Sequence, residues 1–324
     1  MCTIYMMTAG SELKKRGGRA ELRSREGELL ASVPMEEVRS VVVFSHAGVS
    51  TPMVFQLLKQ KAVITYLDFR GNIMGCMGEE RGSLERLLVQ QKCFEDERIA
   101  SVIIRGVLQR KIRNQRELLA QFGRRKKDAE LKSLSEKLQP YENKLQAFSQ
   151  ADELRGLEGM ASRIYFEGLG KIFDARAWGF EGRNRMPPRD PVNSMLSYGY
   201  AFLEREVRTA IAGARLDPRI GFFHSNNGRK DSLVFDLMEM FRQSVIDRFV
   251  LRLMHHKVLL PIDFEHTEED GCRFTELAKK KWIGKYEEYM QEERKDLGGK
   301  NWREKIQEDV EDFAEHVWQM KMMA

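Results

Sequence analysis

The chain has 324 residues and a formal net charge of +5, from 54 Lys and Arg against 49 Asp and Glu, a length that suits two domains and can bury a large core without covalent staples. Its four cysteines (Cys2, Cys76, Cys93 and Cys272) form no C-x-x-C pair, which argues against a zinc ribbon or dithiol redox site and fits a reducing cytoplasm. The start "MCTIYMMTAG" has no basic stretch before an apolar one, and no run of about 18 apolar residues occurs, so neither a signal peptide nor a membrane span is expected.

The first part reads as β. "TIYMM", "SVVVF" and "AVITYLDF" are short runs of β-branched and aromatic residues, separated by glycine-containing turns such as "RGG", "REGE" and "FRGN". "GNIMGCMG" adds a further strand, and "TPMVFQLLKQK" reads as a short helix between two of them. The fold class expected is α+β: a small β-rich domain over residues 1–78, a linker over 79–95, and a larger all-helical domain over 96–324. In "EDERIASVIIRGVLQRKIRNQRELLAQF", Ile99, Val102, Ile103, Val107, Leu108 and Ile112 recur at helical steps. Residues 105–132 hold ten Lys/Arg and three Asp/Glu, either a solvated helix face or a track for a phosphate backbone. "RNRMPPRDPVN" (183–193) is a proline-stiffened loop, followed by a helical run, "SMLSYGYAFLEREVRTAI". Near the C-terminus Trp282, Tyr286 and Tyr289 share one helix face, as do Trp302, Ile306, Phe313 and Val317; core packing explains both stripes better than base stacking, and "DLGGK" divides the tail into two helices.

The chemistry concentrates in two segments. In "GFFHSNNGRKDSLVFDLMEMFR" (221–242), His224 precedes a polar loop containing Asn226, Asn227 and Gly228, and a helix follows. On that helix Asp236 and Glu239, three apart, share a face that Gln243 and Asp247 extend, while Leu233, Leu237, Phe241 and Val245 form the buried ridge. Such an acidic stripe is ordinarily the solvent face; the loop that can fold His224 back over it suggests otherwise. In "LRGLEGMASRIYFEGLG" (154–170), Glu158, Ser162 and Tyr165 line one helix face, and the small Gly159 and Ala161 allow another element to approach. A glutamate in that setting is either a metal ligand or the partner of an arginine. Glu158, Glu239 and His224 together would suit magnesium or manganese, the imidazole favouring manganese; spacing does not establish that they converge. No phosphate-binding glycine loop, H-E-x-x-H or G-x-S-x-G motif occurs. His46 sits at a strand end, and His255, His256, His266 and His316 have no matching carboxylate set or lie on expected surface helices.

Those two segments, with "RKIRNQRELL", "RNRMPPRDPVNSMLSYGYAFL" and the N-terminal "ASVPMEEVRSVVVF…VSTPMVFQLLKQKAVITYLDFRGNIMG", resemble in order the family of CRISPR-associated spacer-acquisition integrases over nearly the whole chain. The resemblance implies a metal-dependent DNA integrase and endonuclease of antiviral defence, cytoplasmic, with magnesium or manganese on Glu158, His224 and Glu239 and with Asp236 supporting the site. It implies a homodimer formed through the β domains, the small CRISPR adaptation partner (protein two), and double-stranded DNA, both prespacer and repeat. Arg185 and Asn193 fall in a family segment near the active site. Lys111, Arg113, Arg163, Arg185 and Arg242 are the expected DNA contacts. Ser45-His46 departs from the pattern where a glycine is expected after the strand. The alternatives are a casposon-type transposase, which would carry an extra DNA-binding domain, and a non-catalytic basic scaffold.

Overall fold

The computed structural model describes residues 2–44, 46–68, 71–78, 83–148, 150–184, 186–224, 231–267 and 271–320. The chain divides into two compact units, Met1–Arg81 and Gly82–Ala324.

In the first unit β1 (Cys2–Met6) and β7 (Val63–Leu67) flank β5 (Val38–Phe44), both parallel to it, and β8 (Ile73–Met77) lies antiparallel to β7. Val41, Val42, Val43 and Phe44 are buried one after another, as in a parallel strand covered on both faces. The connection from β5 to β7 runs through α1 (Thr51–Lys59), which buries Met53 and Leu57. A second sheet, unforeseen from the sequence, comprises β2 (Glu12–Arg16), β3 (Arg19–Arg23), β4 (Leu29–Pro34) and β6 (Gly48–Val49), in the order β4-β3-β2-β6. Only Leu13, Ala20 and Leu22 of β2 and β3 turn inward, so the strands read as charged peptide until the shared core is seen. His46, exposed, has φ 79°, the left-handed conformation that favours glycine, so the departure from the family pattern falls where backbone geometry matters.

In the second unit the span expected as a linker is corrected: residues 84–95 form α2 (Leu84–Glu95). Ser83 caps it by accepting from the Arg86 amide at 3.2 Å. Gln90, fully buried, fixes it in place by donating to the carbonyls of Asp217 and Ile220, at 2.9 and 2.7 Å, and accepting from the Asp217 amide at 2.9 Å. The longest helix, α3 (Glu97–Lys126), starts at Asp96, whose side chain accepts from the Arg98 and Ile99 amides. It buries Ile99, Ile103, Val107, Leu108 and Ile112, leaves Val102 exposed, and folds back through α4 (Ala129–Lys144). Against it packs α5 (Ala151–Ile172), where a Cβ on Gly168 would stand 2.7 Å from Leu119 Cδ2. A Cβ on Gly159 would meet nothing within 4 Å, whereas Ala161 is fully buried, so the close approach falls on the face that Ala161 shares with Gly168 and away from Gly159.

Further along lie α6 (Pro191–Gly213), α7 (Ser232–Met238), a π-helical segment (Arg242–Asp247) and α8 (Arg248–His255). The helical unit carries one antiparallel hairpin, β9 (Phe264–Thr267) with β10 (Gly271–Phe274). It ends in α9 (Glu276–Gln291) and α10 (Trp302–Gln319), separated as "DLGGK" suggested, with Gly298 and Gly299 at positive φ. The aromatic stripe is core: Trp282, Tyr286 and Tyr289 are buried, and Trp282 stacks on Tyr286 with centroids 5.1 Å apart. Among the described residues no helix is long and apolar enough to cross a membrane.

Gly168→Val tests the α3–α5 contact. Forcing a branched side chain against Leu119 should cost about 2 kcal/mol, measured by urea denaturation. An unchanged midpoint would show that α5 does not seat on α3 through this glycine.

Candidate active site

The polar stripe that would ordinarily face solvent is inside. Asp236, Glu239, Gln243 and Asp247 are 2%, 5%, 2% and 0% exposed. Helix α7 is short and the π-helical segment widens the turn after it, so both the apolar ridge and the polar stripe are enclosed. Buried carboxylates need partners, and each has them.

Asp236 holds the His224 strand. Its carboxylate accepts from the backbone amides of Phe222, Phe223 and His224 at 2.5, 3.0 and 2.9 Å, and lies 2.7 Å from His224 Nδ1. This fixes the imidazole by one nitrogen and leaves Nε2 as the other. The chain comes so close that a Cβ on Gly221 would stand 2.7 Å from Asp236 Oδ2 and 2.7 Å from the Ser232 carbonyl carbon. The Arg155 guanidinium donates to the Phe223 carbonyl at 2.9 Å, fastening the same strand to α5. The loop residues Asn226, Asn227 and Gly228 lie outside the described residues.

Glu158 and Glu239 meet at one cation. Lys111, from the middle of α3, is buried, and its ammonium pairs with Glu158 Oε1 and, at 2.7 Å, with Glu239 Oε2. Ser162 donates to Glu158 Oε1 at 2.8 Å, from one turn along α5. Arg242 Nε donates to Glu239 Oε1 at 3.1 Å. Glu239 Oε2, itself buried, has the Lys111 ammonium as its partner. Burial pushes the Glu239 carboxyl up; Arg242, Lys111 and, at longer range, His224 overcome that and hold it at about 2. The sequence reading offered Glu158 an arginine partner or a metal; the partner is Lys111. Among the described residues no three His, Cys, Asp or Glu side chains form a metal-holding group: the two glutamates share the ammonium, and His224 stands with Asp236.

Behind the glutamates lies a layer that sequence reasoning missed. Tyr165 and Tyr200 both donate to Asp247, each at 2.6 Å. Arg242 lies over the Tyr200 ring, 4.5 Å from its centroid, and Arg183 lies over the same ring at 5.5 Å. Asn193 is fully buried and staples the preceding loop: it donates to the Gly182 carbonyl and to Asp190, and accepts from Arg183 and the Asn184 amide. Tyr165, Asp247 and Asn193 each carried a signal in the sequence, by helical spacing or by the family segment; Tyr200 and Arg183 carried none, and nothing in the spacing joined them.

The expected DNA contacts divide. Lys111 is buried against both glutamates, and Arg242, partly buried, is bonded to Glu239, so each already has an internal carboxylate as its partner. Arg113 is half exposed and bonded to Glu142 at 3.1 Å, and Arg163 is exposed. Arg185 lies outside the described residues. Within the basic run, Arg110 pairs with Asp309 and Arg116 with Glu142, whereas Arg124, Arg125, Lys127 and Lys132 are exposed around the α3–α4 turn.

A helical unit in which two glutamates pair with one buried lysine and an imidazole is held by a buried aspartate, in a chain that also has a β-rich unit, has counterparts. Residues 4–288 match the family model for CRISPR associated protein Cas1, and the chain belongs to that family. It is 34% identical over 290 residues to a CRISPR-associated endonuclease Cas1 of Thermus thermophilus, covering 90% of this chain and 87% of that one. Among solved structures, a CAS1 protein from Thermotoga maritima superposes with a TM-score of 0.82 at 24% identity, over 97% of this chain and 96% of that one. A casposase bound to integration product gives 0.82 at 21%, over 98% and 90%. A Cas6-RT-Cas1–Cas2 complex gives 0.83 at 20%, over 98% of this chain and 35% of that one.

Asp247 sets a pH dependence. Burial lifts its carboxyl from 3.8 to about 6, against the two tyrosine hydrogen bonds. The fold therefore favours the protonated form, and stability is lost as pH rises from about 4 through about 6. Asp247→Asn should remove that loss, worth at most about 3 kcal/mol. Thermal melts from pH 4 to 8 should be flatter for the variant in this window; parallel curves would refute the assignment.

Proposed function

We propose that this chain is a metal-dependent DNA integrase with endonuclease activity, joining a DNA 3′-hydroxyl to a phosphodiester of a CRISPR repeat. The observation that carries the reading is the convergence of Glu158 and Glu239 on one cation position, with the His224 imidazole oriented by Asp236 and within electrostatic reach of Glu239. Two carboxylates and an imidazole suit magnesium or manganese, with Glu158, Glu239 and His224 as the holding residues. The buried Glu239 Oε2, whose partner is the Lys111 ammonium, is a ready ligand atom.

Bound there, the metal would lower the pKa of the attacking hydroxyl and neutralise charge developing on the phosphoryl group. The protein does the rest. Arg242 keeps Glu239 ionised and pointed, being fixed itself between Glu239 and the Tyr200 ring. Ser162 orients Glu158. Asp236 sets the His224 ring so that one nitrogen is committed and the other can bind metal or pass a proton. Direct attack by a DNA hydroxyl requires no protein nucleophile. Cleavage is the same chemistry with water as the attacking group.

Double-stranded DNA, a second copy of this chain and the small Cas2-type adaptation protein are the partners the family relationship points to, in the cytoplasm. The exposed cations at the α3–α4 turn, with Arg163, are suited to phosphate contacts without base readout.

The deciding experiment is strand transfer: purified protein, the partner, a labelled prespacer with free 3′-hydroxyls and a repeat-bearing plasmid, with manganese or chelator. Label should join the plasmid only with metal, and Glu158→Ala should abolish joining, about a thousand-fold or more, while DNA binding survives. Binding without joining under every metal would favour the scaffold reading. Log affinity for DNA should also fall with log salt by about 0.9 per phosphate contacted; a flat profile would count against backbone-dominated binding.

A further inference from the structure

We propose that Lys111 is a built-in competitor for the divalent cation: its ammonium holds Glu158 and Glu239 together when no metal is bound, and loading the site requires that ammonium to leave. The inference rests on the metal-dependent reading above and concerns what one lysine does to it.

Lys111 is 6% exposed, and a lysine is almost never buried without partners. Its partners are the two glutamates, one on α5 and one following α7. These carboxylates would repel each other across the helix interface with no cation between them. The ammonium therefore occupies the position where charge is needed, and a divalent ion must take the same two oxygens.

The surrounding bonds show which contacts are exchangeable. Arg242 holds Glu239 by the opposite oxygen, Oε1, and can stay. Ser162 approaches Glu158 from its own helix and can also stay. Only the two oxygens facing Lys111 change partner. Glu239 Oε2 has Lys111 as its partner there, whereas Glu158 Oε1 also keeps Ser162. The Glu158 side chain is 23% exposed, so the interior opens to solvent on that side and gives the lysine stem a way out. A lysine suits this role where an arginine would not, because its compact charge rides on four flexible carbons and makes no fixed fork. The consequence is an apparent metal affinity lowered by the fraction of molecules in which the ammonium has moved aside.

The test measures metal binding and needs no DNA. Mn²⁺ is titrated calorimetrically into wild type, Lys111→Met, Lys111→Arg and Glu158→Ala. Lys111→Met keeps the stem length and removes the competitor, so Mn²⁺ should bind roughly ten-fold tighter. Lys111→Arg keeps the charge and should show no tightening. Glu158→Ala should lose the heat, placing it at this site. A folded Lys111→Met that binds Mn²⁺ no tighter than wild type, while wild-type binding depends on Glu158, defeats this proposal alone. No binding by either protein defeats the metal reading and this proposal with it.

A second measurement needs no variant: the wild type is acetylated with an amine-reactive ester, in chelator and in saturating Mn²⁺, and the Lys111 peptide is quantified by mass spectrometry. Lys111 should be protected in chelator and labelled several-fold more with Mn²⁺. Equal labelling in both would show that the ammonium does not leave, and would overturn the proposal.

Discussion

A lysine ammonium buried between two glutamates ties the middle of α3 to α5 and to the turn after α7. Buried charge is expensive, and removing Lys111 would leave Glu158 with Ser162 and Glu239 with Arg242 as their remaining partners. The three elements must therefore sit in the register that brings Lys111, Glu158 and Glu239 together, and the candidate site follows from that register. Around it the apolar packing is ordinary: Leu119 against Gly168, and the ridge of Leu233, Leu237, Phe241 and Val245 turned into the helical unit.

The carboxylates of one polar stripe have separate tasks because their surroundings differ. Asp236 is saturated with backbone amides and an imidazole, so it anchors a strand. Glu239 has two cations, so it stays ionised despite burial. Asp247 has two tyrosine hydroxyls as donors, and burial raises its carboxyl to about 6. Arg242 links the last two, bonding Glu239 while lying on the ring of Tyr200. The stripe is thus a graded set: an anchor, a charged ligand candidate and a support.

The same logic reassigns the basic run on α3. A cation that satisfies an internal carboxylate is not available to a phosphate. Arg110, Lys111, Arg113 and Arg116 are all bonded within the helical unit, and the exposed cations collect where α3 turns into α4. Net charge in a segment is therefore a poor guide to where DNA would lie; exposure decides it.

The amino-acid sequence by itself determined the α+β class, the apolar strands β1, β5 and β7 of the first unit, the helical run of α3, the break before α10 and, through ordered motifs, the family. These were legible because strong periodicity and β-branched runs encode local structure and ordered motifs encode kinship. Glu158, His224, Asp236 and Glu239 were visible as a candidate set for the same reason. The charged strands β2 and β3 were not, since each contributes one or two apolar residues to a core made elsewhere. The linker that proved to be α2 depends on Gln90 finding carbonyls more than a hundred residues away. Only the tertiary structure decided that Lys111 and Arg242 face the glutamates, that the acidic stripe is enclosed, and that Tyr165 and Tyr200 meet on Asp247. Apart from Arg242 with Glu239, three residues apart, these pairings join groups distant in sequence, and helical spacing specifies which residues share a face but not what that face meets.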